Sequence, residues 1–158
     1  MPRFAWSFVR EVLELDPDQR LRGLVFLERE RSRDLGLCDG SGLVPEGILI
    51  EFCAQAAGLS LLMHRDDIDF LPVLARVNES HFHKTLCLGE KAEVLAAAVH
   101  RSKDLVEFEA SIRNSRSDAP PLLECRLLLG LAPLSELPEG GEAILAHLGS
   151  LKRQIKIN

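Results

Sequence analysis

The stretch from Leu43 to Met63, LVPEGILIEFCAQAAGLSLLM, is the longest apolar run in the chain and carries a carboxylate inside it. From Gly47 onward it is apolar on every side of a helix, with Glu51 and Gln55 as the main polar exceptions. A helix without a polar face must be buried. The two exceptions lie four residues apart, so their side chains share one stripe and present a carboxyl and an amide at one spot. A buried acid needs a partner or a chemical role. Pro45 and Glu46 open the helix well, because proline's missing N–H costs nothing in a first turn and an acid suits the positive end of the dipole. Ala54, Ala57 and Gly58 are small and would let another backbone or a long ligand lie close. A membrane span wants about 20 uncharged residues. Glu51 inside the run, with His64, Arg65, Asp66 and Asp67 just after it, argues against one.

A chain of 158 residues is the natural size of one domain with a real core. The formal charge of −5 and the scatter of the basic residues disfavour nucleic acid as a partner. At the N-terminus, MPRFAWSFVREVLELD mixes charged and apolar residues too early to hold a signal-peptide core, which reads as a cytoplasmic protein. Cys38, Cys53, Cys87 and Cys125 have no C-x-x-C spacing and are expected as free thiols.

In chain order, residues 8 to 27 read as a hairpin around Asp16-Pro17-Asp18-Gln19, a turn set by proline's fixed φ and the aspartate side chains. Leu13 and Leu15 alternate with Glu14 and Asp16 on the first arm. Leu21, Val25 and Leu27 share one face of the second, and Leu24 and Phe26 the other. From Glu28 to Gly42 the pattern fails and glycines accumulate, which predicts a loop leading to the start of the helix. Extended structure resumes at Val73 to His83. Further strands are predicted from the alternation of Ala92, Val94, Ala96 and Ala98, from Val106, Phe108, Ala110 and Ile112, and over Leu122 to Leu131. Short turns between successive strands make the sheet antiparallel, and the whole an α+β domain whose sheet wraps one long central helix. That domain is expected over residues 1–134. Residues 135–158 are expected as a helical extension packed on it, with Ile144, Leu145, Leu148 and Leu151 at helical spacing.

Hairpin, glycine loop, buried helix and four-strand sheet together describe the hotdog fold, and the residues resemble the FabZ-type 3-hydroxyacyl-ACP dehydratases. Their helix opens on Pro-Gly-Val-Leu-Ile-x-Glu-Ala-x-Ala-Gln-x-x-Gly. Pro45, Ile48, Leu49, Glu51, Ala54, Gln55 and Gly58 fall on that pattern without a gap. VLELDPDQRLRG looks like the family's hairpin, and NESHFHKTLCLGE is similar to its Asp-Asn-Ala-Arg-Phe-Lys-Arg-Pro-Val-x-Pro-Gly-Asp, with Phe82, Gly89 and Glu90 in place. The likeness runs over residues 8 to 132.

The resemblance implies a site at a dimer interface, where a loop histidine of one subunit takes the proton beside the thioester carbonyl and the helix glutamate of the other helps the 3-hydroxyl leave. Glu51 matches the acid, with Gln55 in support. The histidine position, within Gly36-Leu37-Cys38-Asp39-Gly40, is Leu37, which cannot move a proton. Glu46 stands where the family has a glycine, yet its backbone N–H can still polarise a carbonyl. Leu37, Cys38, Gly40, Pro45, Glu46 and Gly47 are the implied substrate-binding positions. Cys38 is also a candidate nucleophile and Asp39 a candidate carboxylate. His81 and His83 share a strand face but have no third ligand nearby in sequence, so neither a metal nor another cofactor is expected.

Three functions stay open: a degenerate dehydratase or dehydratase subunit, an acyl thioesterase using Glu51, and a non-catalytic acyl-binding protein. The implied partners are acyl carrier protein or acyl-CoA, a second copy of the chain in a homodimer or higher homo-oligomer, and a histidine-bearing FabZ-like subunit in a heterodimer.

Overall fold

The computed structural model describes residues 8–37, 40–115, 118, 120–137, 146, 149–150 and 152–157. The chain runs β1 (Val9–Asp16), β2 (Arg20–Val25), α1 (Arg29–Asp34), α2 (Glu46–Leu62), β3 (Phe70–Phe82), β4 (Ala92–Arg101), β5 (Leu105–Asn114), β6 (Leu123–Pro133), a 3₁₀ turn (Leu134–Glu136) and β7 (Lys156–Ile157). The strands form one sheet in the order β3-β6-β5-β4-β2-β1-β7. Every pairing is antiparallel except the short β1–β7 one. The fold is therefore α+β.

The predicted alternation holds on the central strands. Val94 and Ala96 of β4, Val106, Phe108, Ala110 and Ile112 of β5, and Leu123, Cys125, Leu127 and Leu129 of β6 are buried, with polar neighbours such as Glu109 and Arg113 outside. These inward faces meet α2, on which every residue from Phe52 to Leu62 is buried. Pro45 is the cap residue before the helix and Met63 the one after it.

Strand β1 departs from simple alternation. Its buried residues are Val9 and Val12, three apart, while Leu13 and Leu15 are half-buried. Two register shifts against β2, between Val9 and Glu11 and between Val12 and Glu14, rotate the strand and change which side chains face inward. Gly23 of β2 lies opposite this irregular segment, and a Cβ there would sit 2.8 Å from the Glu11 carbonyl oxygen.

The hairpin tip is tied to the far end of α2. Asp18 has φ 59°, a conformation aspartate tolerates better than most side chains. Its N–H donates to the Ser60 carbonyl at 3.2 Å, and its carboxylate pairs with Arg65 and with His64, each at 3.3 Å. Arg65 also donates Nε–H to the Leu61 carbonyl and lies over the Phe70 ring.

The sequence predicted a loop throughout 28–42, and the structure corrects this with α1. That six-residue helix has no apolar period because charged residues fill it, and it is anchored by Ser32, which is fully buried. Of the helical extension expected over 135–158, residues 138–145, 147–148, 151 and 158 lie outside the described residues. Residues 152–154 are helical, Ile155 is buried against the core, and Lys156 and Ile157 form β7 beside β1, a seventh strand the sequence pattern did not predict.

Gly23→Ala is expected to destabilise the protein by about 1–3 kcal/mol, since the added methyl meets backbone that cannot rotate away. Gly130→Ala, whose methyl would meet the Val73 carbonyl oxygen at 3.9 Å, is the control expected to cost far less. Urea denaturation of the two variants measures the difference.

Candidate functional site

Three stretches far apart in sequence meet at the N-terminus of α2. The Val44 N–H donates to Leu86 and the Leu88 N–H to Gly42, at 2.7 and 2.9 Å, and Leu43 bridges Cys87. Thr85 closes the join by donating its hydroxyl to the Val44 carbonyl at 2.6 Å. The Gly89 N–H reaches the Leu27 carbonyl at the end of the hairpin, at 2.8 Å. Thus the helix start, the segment 84–90 and the hairpin exit are stitched by backbone hydrogen bonds. Gly40 and Gly42, with φ 85° and 73°, make the bends that let the loop enter the helix.

The first turn and a half of α2 emerges from the wrapping sheet. Glu46 and Gly47 are exposed, Ile48, Ile50 and Glu51 are half-buried, Leu49 is buried, and burial is continuous from Phe52. Glu51 therefore stands at the rim of the buried helix. The Ile48 and Leu49 N–H groups turn back to the Pro45 carbonyl at 2.9 and 3.3 Å, whereas the first-turn amides of Glu46 and Gly47 precede any intrahelical acceptor. A Cβ on Gly47 would meet nothing within 4 Å, so the approach to this turn is open.

Gln55 orients Glu51. The Phe8 N–H donates to Gln55 Oε1 at 3.3 Å, and Gln55 Nε2 donates to Glu51 Oε1 at 3.1 Å. A backbone N–H can only donate, so the amide must present its oxygen to Phe8 and its NH₂ to the carboxylate. Glu51 Oε1 is thereby an acceptor, and the carboxylate is held in one orientation by the amide. The Phe8 ring packs on Phe52 with centroids 5.2 Å apart, and the Arg31 guanidinium lies 5.2 Å from the Phe8 ring centroid. The start of β1 and helix α1 are thus joined to the site through Phe8, a residue that sequence reasoning passed over because a backbone donor has no side-chain signature.

Among the other sequence-derived positions, Leu37 is half-buried, packs against the core and donates its N–H to the Ser32 carbonyl at 2.8 Å. Gly40 is exposed and Pro45 half-buried. Cys38 and Asp39 lie outside the described residues. His81 is exposed on β3 and His83 is exposed just past its end, and each meets a carboxylate: His81 Nε2 is 2.8 Å from Glu79, and His83 Nε2 is 3.1 Å from Glu124. The His81 contact holds the Glu79 carboxyl below its ordinary range. Among the described residues no group of three or more His, Cys, Asp or Glu is placed to hold a metal ion, and no helix is long and apolar enough to cross a membrane.

Strand β3 is the edge of the sheet, paired with β6 on one side and with no described strand on the other. Residues 75 to 82 are all exposed, and Val73, Val77 and Phe82 stand out at 45%, 38% and 36% exposure, far above a core side chain.

Removing the amide tests the orienting role of Gln55. Gln55→Leu is expected to cost about 1–3 kcal/mol in stability, because the buried Phe8 N–H loses its acceptor. Chemical denaturation checks this, and amide exchange at Phe8 should quicken in parallel.

No protein-family model matches the chain, and no curated protein matches it in sequence. Solved structures do match in fold. A chain of the dehydratase heterocomplex ApeI:P from Xenorhabdus doucetiae superposes with a TM-score of 0.68 at 17% identity, over 89% of this chain and 90% of that one. A hypothetical thioesterase from Streptococcus pneumoniae, solved with coenzyme A, gives 0.59 at 13% identity, over 78% and 85%. The smu.793 protein from Streptococcus mutans, bound to acetyl-CoA, gives 0.57 at 10% identity, over 78% and 88%. At these identities the likeness is one of fold: the chain has the hotdog architecture, shared with thioesterases and with a dehydratase subunit.

Proposed function

We propose that this chain is a dehydratase-type hotdog subunit that takes 3-hydroxyacyl or enoyl thioesters of acyl carrier protein or coenzyme A, and that it supplies the acid of a catalytic pair without its base. The observation that carries this reading is Glu51, half-buried on the first turns of α2 with its Oε1 held by Gln55. In the dehydration direction a base removes the proton from C2, the C2–H electrons form the C2–C3 double bond, and the C3–O bond breaks. Glu51 Oε2 would give its proton to the departing oxygen, which leaves as water. The exposed first-turn amides of Glu46 and Gly47 would hold the thioester carbonyl oxygen as charge builds on it. The position that the resemblance assigns to the base is Leu37, so the base must come from elsewhere. A partner with a histidine at that position would complete one site with this chain's Glu51. One of the fold relatives is itself part of a dehydratase heterocomplex.

The open edge of β3 supports pairing. An exposed edge with Val73, Val77 and Phe82 on it is a template for another strand, and a second copy or a related subunit would cover it. Light scattering of the chain expressed alone should give at least a dimer at micromolar concentration. A monomer would count against both the pairing and a site shared between subunits.

A thioesterase reading draws on a different observation, the coenzyme A-bound thioesterase among the fold relatives. There Glu51 would act as base or nucleophile on the thioester carbonyl. Mass spectrometry of the protein mixed with 3-hydroxyacyl, enoyl and saturated acyl thioesters separates the readings by loss of water, loss of the acyl group, or retention. For the dehydratase reading, Leu37→His should raise a weak or absent activity by about 10²–10⁴, and Glu51→Ala in that background should abolish the gain. Strong dehydration by the unmodified chain, unchanged by Glu51→Ala, would overturn the proposal. If Glu51→Gln hydrolyses thioesters at the wild-type rate, the thioesterase mechanism is wrong.

A further inference from the structure

Helix α1 consists almost wholly of charged side chains, and one of them is turned inward. Arg29, Glu30, Arg33 and Asp34 are exposed, whereas Arg31 is half-buried beside the fully buried Ser32. The helix and the bend after it are built by backbone bonds: the Ser32 N–H donates to the Glu28 carbonyl at 2.9 Å, the Leu35 N–H to that of Arg31 at 2.9 Å, and the Gly36 N–H to that of Arg33 at 3.0 Å. The Arg31 side chain is seated on Phe8, its guanidinium 5.2 Å from the centroid of a ring that is itself fully buried. A cation over an aromatic ring is attracted by the ring's quadrupole, the more so where water is excluded. An arginine suits this place at the surface, because its apolar stem covers the ring while its charged head stays near water. The same ring packs on Phe52 of α2, with centroids 5.2 Å apart.

We infer that Arg31 is a positioning residue for Glu51, acting through Phe8 and Gln55; its effect on turnover rests on the dehydratase reading, its effect on the Gln55 amide does not. What the seated ring fixes is the place of the Phe8 N–H. That donor reaches Gln55 Oε1 at 3.3 Å, and Gln55 Nε2 reaches Glu51 Oε1 at 3.1 Å. The first of these bonds lies at the long end of the N–H···O range, so a small movement of the ring and its backbone breaks it. Once that donor is withdrawn, the Gln55 amide is less constrained against turning over. A turned amide would set its oxygen against the carboxylate, and two acceptors repel. The Glu51 carboxyl then spends part of its time out of the orientation from which it gives its proton. Arg31 meets no substrate group in this scheme, so it governs how often Glu51 is correctly turned and leaves substrate binding alone.

The test uses the full chain and two readouts. The first needs no activity: hydrogen exchange at the Phe8 amide and at the Gln55 side-chain amide, followed by NMR, should quicken by about 2- to 30-fold in Arg31→Ala. Arg33→Ala, which removes an exposed arginine of the same helix, should leave both rates unchanged. Arg31→Lys keeps a cation over the ring and should restore most of the protection, whereas Arg31→Gln, of similar length without the charge, should not. The second readout is turnover of a 3-hydroxyacyl thioester by the chain carrying Leu37→His. There Arg31→Ala should lower kcat by about the same 2- to 30-fold with KM unchanged, and Arg31→Lys should recover it. If exchange at the Gln55 amide in Arg31→Ala stays within about twofold of the unaltered chain, or if Arg31→Gln protects it as well as Arg31→Lys does, the inference is wrong. Quickened exchange beside a Leu37→His chain that does not dehydrate supports the positioning by Arg31 and overturns the dehydratase reading instead. The glutamine and lysine variants decide the matter even if Arg31→Ala fails to fold.

Discussion

The structure depends on burying a helix that has no polar face. A helix with one apolar stripe can lie on a flat sheet, but α2 offers apolar surface around its circumference, so the sheet must curl about it. The inward residues of β4, β5 and β6 alternate small and large, from Ala96 and Ala110 to Phe108 and Leu127, and all are buried. A sheet curled round a helix still has two edges and leaves the helix ends less covered. One edge, β1, is covered by the C-terminal β7; the other, β3, is open among the described residues. The helix N-terminus is the less covered end, and Glu51 is the last half-buried residue before the continuously buried part. Position on the fold thus gives this carboxylate both partial access to solvent and a buried partner.

Much of this was legible in the residues. The helix, the hairpin turn at residues 17–19 and the strands β3 to β6 follow from apolar period and turn chemistry, because each depends on neighbours in sequence. The Glu51–Gln55 pairing followed from a spacing of four. The misses have a common cause, which is that they depend on contacts distant in sequence. The alternation of Leu13 and Leu15 misjudged the buried face of β1, since the register shifts against β2 select Val9 and Val12 instead. Helix α1 has no apolar repeat, and its anchor is one buried serine, Ser32. Strand β7 is two residues long and exists only because Ile155 is seated in the core beside β1. Phe8 matters through its N–H, which reaches Gln55 from far away in the sequence.

The orientation of Glu51 is a property of the whole fold. Its Oε1 accepts from Gln55, Gln55 is turned by the Phe8 N–H, and Phe8 is held by Phe52 and Arg31. Each link is set by packing of elements that the fold needs in any case. Retaining an oriented acid therefore asks nothing beyond the hairpin, α1 and α2 being in place. Leu37, at the position that the proposed reading gives to the base, packs against the core and contributes apolar contact there.

Under the proposed reading, the orientation of Glu51 by the fold bears on how a half-site can persist. A catalytic pair divided between two chains lets one chain lose its half without losing the other's, provided that the chains still pair. The open β3 edge carries its exposed valines and Phe82 whatever residue stands at position 37, so under that reading the surface for pairing and the means of catalysis vary independently. Under the proposed reading, substitution at Leu37 then changes which partner yields a complete site, while the frame that binds the partner stays the same. Identical subunits would share the defect at both sites. A histidine-bearing partner would remove it at one, and the Gln55-oriented Glu51 is the residue that this chain brings to that site.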